Sequence, residues 1–264
     1  MAEKKYTPMM QHYLKMKEEN PDSILFYRLG DFYEMFFEDA KLVSQELDLV
    51  LTGRSAGVEE KVPMCGIPFH AANSYIQRLV KKGYKVAICE QLEDPSSAKG
   101  LVDRGIIKII TPGTYMDATM DAKSTNYMAS CDVSSFEITV IYCELSTGEL
   151  KYQTLQRSLV ALQKALLEQN VSELVCPMTM DKKWMAALEE MDTMLISKHK
   201  KANIDSEDLP LLNGIESESL KEAFALLMAY LKDTQKQRID HFLPIESMDK
   251  DKVLVMDYET KNHL

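Results

Sequence analysis

Residues 24–40 of the chain read Ile-Leu-Phe-Tyr-Arg-Leu-Gly-Asp-Phe-Tyr-Glu-Met-Phe-Phe-Glu-Asp-Ala. The apolar beginning of this stretch predicts a buried strand, which Gly30 interrupts. Asp31 has the chemistry of a helix N-cap, and Glu34 follows it at the spacing of a capping box. The pattern therefore predicts a strand followed by a helix over residues 32–47.

Phe32 has two possible roles in this arrangement. It would lie in the first helical turn beside a strand end, where proteins often present functional groups. Alternatively, Phe32, Met35 and Phe36 are core residues and Glu34 only caps the helix. The spacing by itself favours the core interpretation, so a functional role needs support from elsewhere in the sequence.

Strands and helices alternate through the first 115 residues. Thr7-Pro8 predicts the start of a capped helix, with Thr7 as the cap and Pro8 in the first turn, where proline is favoured. The apolar patterns then predict further elements: strands at 24–29, 48–52, 62–67, 84–91 and 106–111, and helices at 32–47 and 71–82. This alternation is typical of an α/β domain with a mixed sheet. We expect that domain to span residues 1–115, followed by a linker at 116–125.

The second half of the sequence begins with three predicted strands and then alternates between helices and strands. The predicted strands are 126–133, 136–142, 150–155, 171–176 and 194–197, and the helices are 158–169, 182–191 and 219–238. This order is that of an RNase H-like fold. We therefore predict two tandem α/β domains, the second over residues 126–243.

The composition indicates a cytoplasmic protein. The sequence contains no run of 18 apolar residues, so no segment is expected to span a membrane, and the first residues lack the apolar region of a signal peptide. The five cysteines form no Cys-x-x-Cys pair, so we expect reduced thiols.

The charge distribution limits how the chain could bind a polyanion. Residues 1–116 carry 15 Lys and Arg against 16 Asp and Glu, whereas residues 117–264 carry 16 against 25. The first half is therefore nearly neutral, and the second half carries most of the net charge of −10. Such a chain would not bind DNA by bulk electrostatics, which favours a small contact that reads shape.

Four sequence blocks occur in one order within the first 115 residues. They are Gly30-Asp-Phe-Tyr-Glu-Met-Phe36, Pro63-Met-Cys-Gly-Ile-Pro-Phe-His70, Val86-Ala-Ile-Cys-Glu-Gln91 and Thr111-Pro-Gly-Thr114. The first resembles the Phe-x-Glu signature of MutS-type DNA mismatch-recognition proteins, and the other three extend the match. The resemblance implies a mismatch-recognition domain followed by an RNase H-like connector domain.

The resemblance also assigns roles to particular residues. Phe32 is expected to enter the DNA minor groove and stack on a mispaired base, and Glu34 to face the edge of that base. We expect Glu34→Ala to tighten binding to perfect duplex, because phosphates repel a carboxylate. Nearby cations are weaker candidates for phosphate contacts: Arg54, Arg78, Lys82 and Arg104.

The resemblance implies cofactors and partners that are expected to bind the whole protein and not this chain by itself. MutS-type proteins are ATPases that use Mg²⁺, act as dimers and recruit a MutL-type repair protein. No Gly-x-x-x-x-Gly-Lys-Ser/Thr loop occurs in the 264 residues, so we expect no ATP site and no enzymatic activity here. Residues 244–264 are similar to the start of the family's core domain at Asp257, Thr260 and Leu264. We therefore expect an N-terminal fragment that is monomeric.

Two other functions remain open at this point. RNase H-like folds often hold Mg²⁺ between carboxylates for phosphodiester cleavage, and Asp132, Glu137, Glu144 and Asp192 are the candidates for such a nuclease. The second domain could instead be an interaction module without a site. The histidines lack metal-ligand spacing, and His70 is expected to be a structural hydrogen-bonding residue.

Overall fold

The computed structural model describes residues 6–93, 102–116 and 125–248. The described residues form two compact units, one drawn from residues 1–115 together with 234–236 and the other from the remainder. Each unit contains one mixed six-stranded sheet with helices. The predicted class of two α/β domains is confirmed. The centre of the predicted linker and most of residues 244–264 lie outside the described residues.

The first unit is built on a mixed sheet in which only one pair of neighbours is parallel. Its strands are β1 (Ser23–Leu29), β2 (Phe32–Phe36), β3 (Thr52–Arg54), β4 (Val62–Pro68), β5 (Lys85–Gln91) and β6 (Arg104–Ile110). Its helices are α1 (Pro8–Glu19), α2 (Phe37–Leu47) and α3 (Ala72–Lys81). The strand order is β3-β4-β2-β1-β5-β6, with β1 and β5 parallel.

The helix predicted over residues 32–47 is wrong in its first third. Residues 32–36 form β2, which pairs with β1 as a hairpin, and α2 begins only at Phe37. Leu29 pairs with Phe32, which leaves a two-residue loop whose first residue, Gly30, has φ +57°. Glycine at that position favours a tight hairpin turn, so Asp31 is a loop residue and not a helix cap.

The two faces of the first sheet are covered by different helices. Tyr33 and Met35 point into a core with α2 and α3, whereas Phe36 packs with Tyr13 of α1 on the opposite face. Successive side chains of a strand point to opposite faces. Phe32 and Glu34 therefore lie on the α1 face, beside Phe36.

Smaller predictions were mostly accurate. Thr7 caps α1, its hydroxyl accepting a hydrogen bond from the Met10 amide at 3.4 Å. The strand predicted at 48–52 is shifted to Thr52–Arg54, because Asp48 adopts a left-handed conformation that ends α2. All five cysteines are free and buried, and burial raises the pKa of Cys65 and Cys89 to about 12.

The second unit has the strand order that the sequence predicted. Its strands are β7 (Tyr127–Val133), β8 (Glu137–Glu144), β9 (Glu149–Gln156), β10 (Glu173–Pro177), β11 (Leu195–His199) and β12 (Glu246–Ser247). Its helices are α4 (Leu159–Glu168), α5 (Lys182–Glu189) and α6 (Glu218–Gln235). β7, β8 and β9 form an antiparallel meander, and β10 joins β7 and β11 in parallel. This is the RNase H-like arrangement, with β12 added beside β9.

None of the helices in the described parts of the chain is long and apolar enough to cross a bilayer.

Candidate nucleic-acid interface

Phe32 lies at the tip of the β1–β2 hairpin and is 47% exposed. Its neighbours in the sheet are Leu29 of β1 and Pro68 of β4. By contrast, Met35 and Phe36 are completely buried. The core interpretation therefore holds for Met35 and Phe36 but not for Phe32, whose ring is available to a ligand.

Glu34 forms an ion pair with Arg54 on the same face of the sheet. Strand β4 lies between their two strands, and the residue of β4 directly opposite Glu34 is Gly66. Because glycine has no side chain, the Glu34 side chain can extend across β4 toward the guanidinium. We call the surface formed by Phe32, Glu34, Arg54, Gly66 and Pro68 the Phe32 face.

Arg28 supports the hairpin from its other face. Its Nε donates a hydrogen bond to the carbonyl oxygen of Gly30 at 2.5 Å, and its guanidinium carbon lies 3.7 Å from the ring centroid of Phe69. The Phe69 amide in turn donates to the carbonyl oxygen of Asp31 at 2.9 Å. These contacts fix the loop that precedes Phe32.

Tyr33 and Glu90 extend this support. The Tyr33 hydroxyl bonds the Glu90 carboxylate, and the Arg28 guanidinium lies 3.4 Å from the same carboxylate. Burial raises the pKa of Tyr33 well above its usual range, so the hydroxyl keeps its proton and remains a donor. The sequence analysis missed Arg28 and Phe69, since only the hairpin register brings them to the loop.

Of the four predicted phosphate contacts, Arg54 and Arg104 lie on the sheet face of Phe32, but only Arg54 is accessible, with a side chain that is 36% exposed. Arg78 lies in α3, which covers the opposite face of the sheet, and Lys82 directly follows α3 and is paired with Glu46 at 2.6 Å. Arg104 is buried and donates hydrogen bonds to the carbonyl oxygens of Arg28 and Val102. Arg104 therefore has a structural role in this unit.

The structure does not bring together the four carboxylates that the nuclease alternative would need for a metal site. Asp132 accepts hydrogen bonds from Lys201 and Ser219, both at 3.0 Å. Glu144 lies at the far end of the β7–β8 pair, where it binds the turn that follows β8. Glu137 begins β8, and Asp192 lies in the turn before β11.

The lysine beside Asp132 also contacts Glu222, at 2.6 Å, so an ammonium group bridges these two carboxylates. Within the described ranges, no group of three His, Cys, Asp or Glu side chains could hold a metal ion. The nuclease alternative is therefore not supported.

His70 is exposed, and its ring lies 5.9 Å from that of Phe69.

The amino-acid sequence was compared with protein-family models and with known proteins. Residues 7–119 match the family model described as MutS domain I. The chain is 43% identical over 263 residues to the DNA mismatch repair protein MutS of Bacillus licheniformis. The proteins of the same name from Clostridium tetani and Bacillus subtilis are 42% and 41% identical to it. Each match covers 98% of this chain and 30% of the relative, so the chain spans less than a third of the relatives' length.

Proposed function

Because the chain belongs to the MutS family of DNA mismatch repair proteins, we propose that its first unit recognises mismatched or unpaired bases in duplex DNA. The observation that carries this proposal is the exposed Phe32 ring at the tip of a braced hairpin. A ring held in this way can act as a wedge.

The wedge would work by testing how easily the duplex deforms. An apolar side chain that enters the minor groove kinks DNA, and unstacking a base step costs a few kcal/mol. A mismatch pairs and stacks more weakly, so the cost is lower at the place to be recognised. Phe32 would thus detect deformability instead of reading a base code.

The two charged residues of the Phe32 face, Glu34 and Arg54, would have distinct roles. Glu34 lies two residues after Phe32 on the same face. It would face the edge of the base on which the ring stacks. Arg54 is the accessible one of the earlier cationic candidates on that face, and we assign the adjacent phosphate to it. With so few phosphate contacts, the chain should bind DNA weakly and only at low salt.

The remaining assignments concern the domains of this chain and the parts of the whole protein beyond it. We assign residues 1–115 to mismatch recognition, 116–125 to a linker, 126–243 to a connector and 244–264 to the start of a core domain. The connector would transmit conformational changes to other parts of the whole protein. Those parts would bind ATP with Mg²⁺, form a homodimer and recruit a MutL-type protein. The fragment itself would be a monomer without ATPase activity, and the whole protein would act in the cytoplasm.

Binding of this chain to two duplexes tests the proposal. A fluorescently labelled duplex with one unpaired base should bind more tightly than its fully paired counterpart, as measured by anisotropy at low salt. Equal affinity for both duplexes would contradict the proposal, and Mg²⁺-dependent nicking of plasmid DNA would revive the nuclease alternative.

A further inference from the structure

The ion pair between Glu34 and Arg54 on the Phe32 face points to a second determinant of specificity for mismatched DNA. This inference rests on the proposed function. We propose that Glu34 lowers the affinity for perfect duplex by holding the Arg54 guanidinium, so that Arg54 reaches a phosphate only when Glu34 turns to a mispaired base. Discrimination then depends on two coupled side chains and not on the repulsion of the carboxylate alone.

The backbone is arranged so that this ion pair can form across an intervening strand. Glu34 pairs with Gly66, and Arg54 pairs with Val62 of the same strand, β4. A Cβ atom at Gly66 would lie 3.5 Å from Cγ of Glu34 and 3.4 Å from the Tyr33 carbonyl oxygen. A residue with a longer side chain at position 66 would therefore occupy the space beside the glutamate.

The two partners differ in their access to solvent. The Arg54 side chain is 36% exposed and that of Glu34 is 15% exposed, so the guanidinium is the outer member of the pair. Its carbon lies 6.0 Å from the centroid of the buried Phe36 ring, which places the guanidinium over the sheet face. In the described part of the chain, Arg54 is the only ion-pair partner of Glu34.

A phosphate can replace the carboxylate as the partner of Arg54. Exposed ion pairs contribute little to stability, whereas an arginine fork binds phosphate oxygens through two parallel hydrogen bonds. On perfect duplex the Phe32 ring stays outside the stack, and Glu34 keeps its contact with Arg54. On a mismatch the ring enters, Glu34 meets the base edge, and the released Arg54 adds a phosphate contact.

The proposal gives Glu34→Ala a specific mechanism. Removing the carboxylate frees Arg54 in the absence of a mismatch, so perfect duplex should bind about tenfold more tightly, the lower end of the range for one added charge-assisted contact. The plot of log affinity against log salt concentration should become steeper by about 0.9, the contribution of one phosphate.

A double-mutant cycle on perfect duplex tests this mechanism. In an Arg54→Met background, which keeps an apolar side chain but removes the charge, Glu34→Ala should change the affinity by less than about twofold, because no guanidinium is released. If Glu34→Ala tightens binding equally in that background, the carboxylate acts by direct repulsion and the proposal is wrong.

A matched control comes from a second ion pair in the same unit. Glu46 pairs with Lys82 at 2.6 Å on helices that cover the opposite face of the sheet. Glu46→Ala makes the same change in net charge and should leave binding to perfect duplex unchanged. If Glu46→Ala tightens binding as much as Glu34→Ala does, net charge explains the effect and the proposal is overturned.

These measurements are separable from the test of mismatch recognition. The cycle uses only perfect duplex, so its result does not depend on a preference for unpaired bases. Equal binding of bulged and perfect DNA by the native chain would refute the proposed function, and with it the release of Arg54 by a mismatch, but not the coupling that the cycle measures on perfect duplex. Loss of coupling between Glu34 and Arg54 would refute this inference and leave the proposed function standing. Circular dichroism of each variant establishes that the fold is intact.

Discussion

Replacing Asp39 by alanine should lower the free energy of unfolding of the first unit by about 3–5 kcal/mol, the range for breaking a buried ion pair by removing one partner. The Asp39 side chain is 8% exposed and pairs with Lys17 at 2.9 Å. Its other carboxylate oxygen accepts a hydrogen bond from the Leu25 amide at 2.9 Å. The β1–β2 pairing extends only to Tyr27 with Glu34, so Asp39 supplies the acceptor that β2 does not provide for Leu25.

Hydrogen exchange is the appropriate measurement, because it follows each unit separately. Amides of β1 and α1 should lose protection in Asp39→Ala, while those of β8 serve as an internal reference. Asp39→Asn keeps an oxygen acceptor for Leu25 but removes the charge opposite Lys17, so its destabilisation should be smaller. Unchanged protection of β1 in Asp39→Ala would show that the carboxylate does not support the hairpin.

Replacing Phe32 by alanine should weaken binding to bulged DNA by about 1–3 kcal/mol, the range for removing one base–aromatic stack. Binding to perfect duplex should not change, because the ring does not enter a fully stacked helix. Phe32 is 47% exposed, so the free energy of unfolding should fall by about 1 kcal/mol or less. Anisotropy titrations and chemical denaturation measure the two quantities.

Phe136→Ala is the matched control for this substitution. Phe136 is 90% exposed just before β8 in the second unit, and the proposal gives it no contact with the mispaired base. Its replacement should leave both affinities unchanged. If Phe32→Ala instead unfolds the first unit with the loss of about 3–5 kcal/mol typical of a buried ring, the core interpretation of Phe32 was right.

Much of the architecture could be predicted from periodicity alone. The order of strands in the second unit follows from apolar runs separated by turn residues, as at β8 and β9. The hairpin at Gly30 was missed because Asp31 and Glu34 have the spacing of a capping box, and local spacing does not distinguish this from a strand. Phe32 is exposed whereas Tyr33 and Met35 are buried, and this difference follows from the strand's two faces, which the sequence does not show.

The site could be predicted in its central residues but not in its surroundings. Phe32 and Glu34 came from a short motif and a resemblance. The pairing of Glu34 with Arg54 depends on the register of two further strands, which has no local signal in the sequence. For the same reason Arg104 was predicted as a surface cation, although hydrogen bonds to two carbonyl oxygens hold its guanidinium in a buried position.

The most direct test of the wedge is the shape of the bound DNA. Energy transfer between dyes at the two ends of a duplex should report a kink of about 20–90° when the chain binds DNA with one unpaired base, relative to the same DNA alone. No such change should occur with perfect duplex or with Phe32→Ala. Preferential binding of the bulged duplex without any change in end-to-end distance, or an equal change with Phe32→Ala, would contradict recognition by insertion of Phe32.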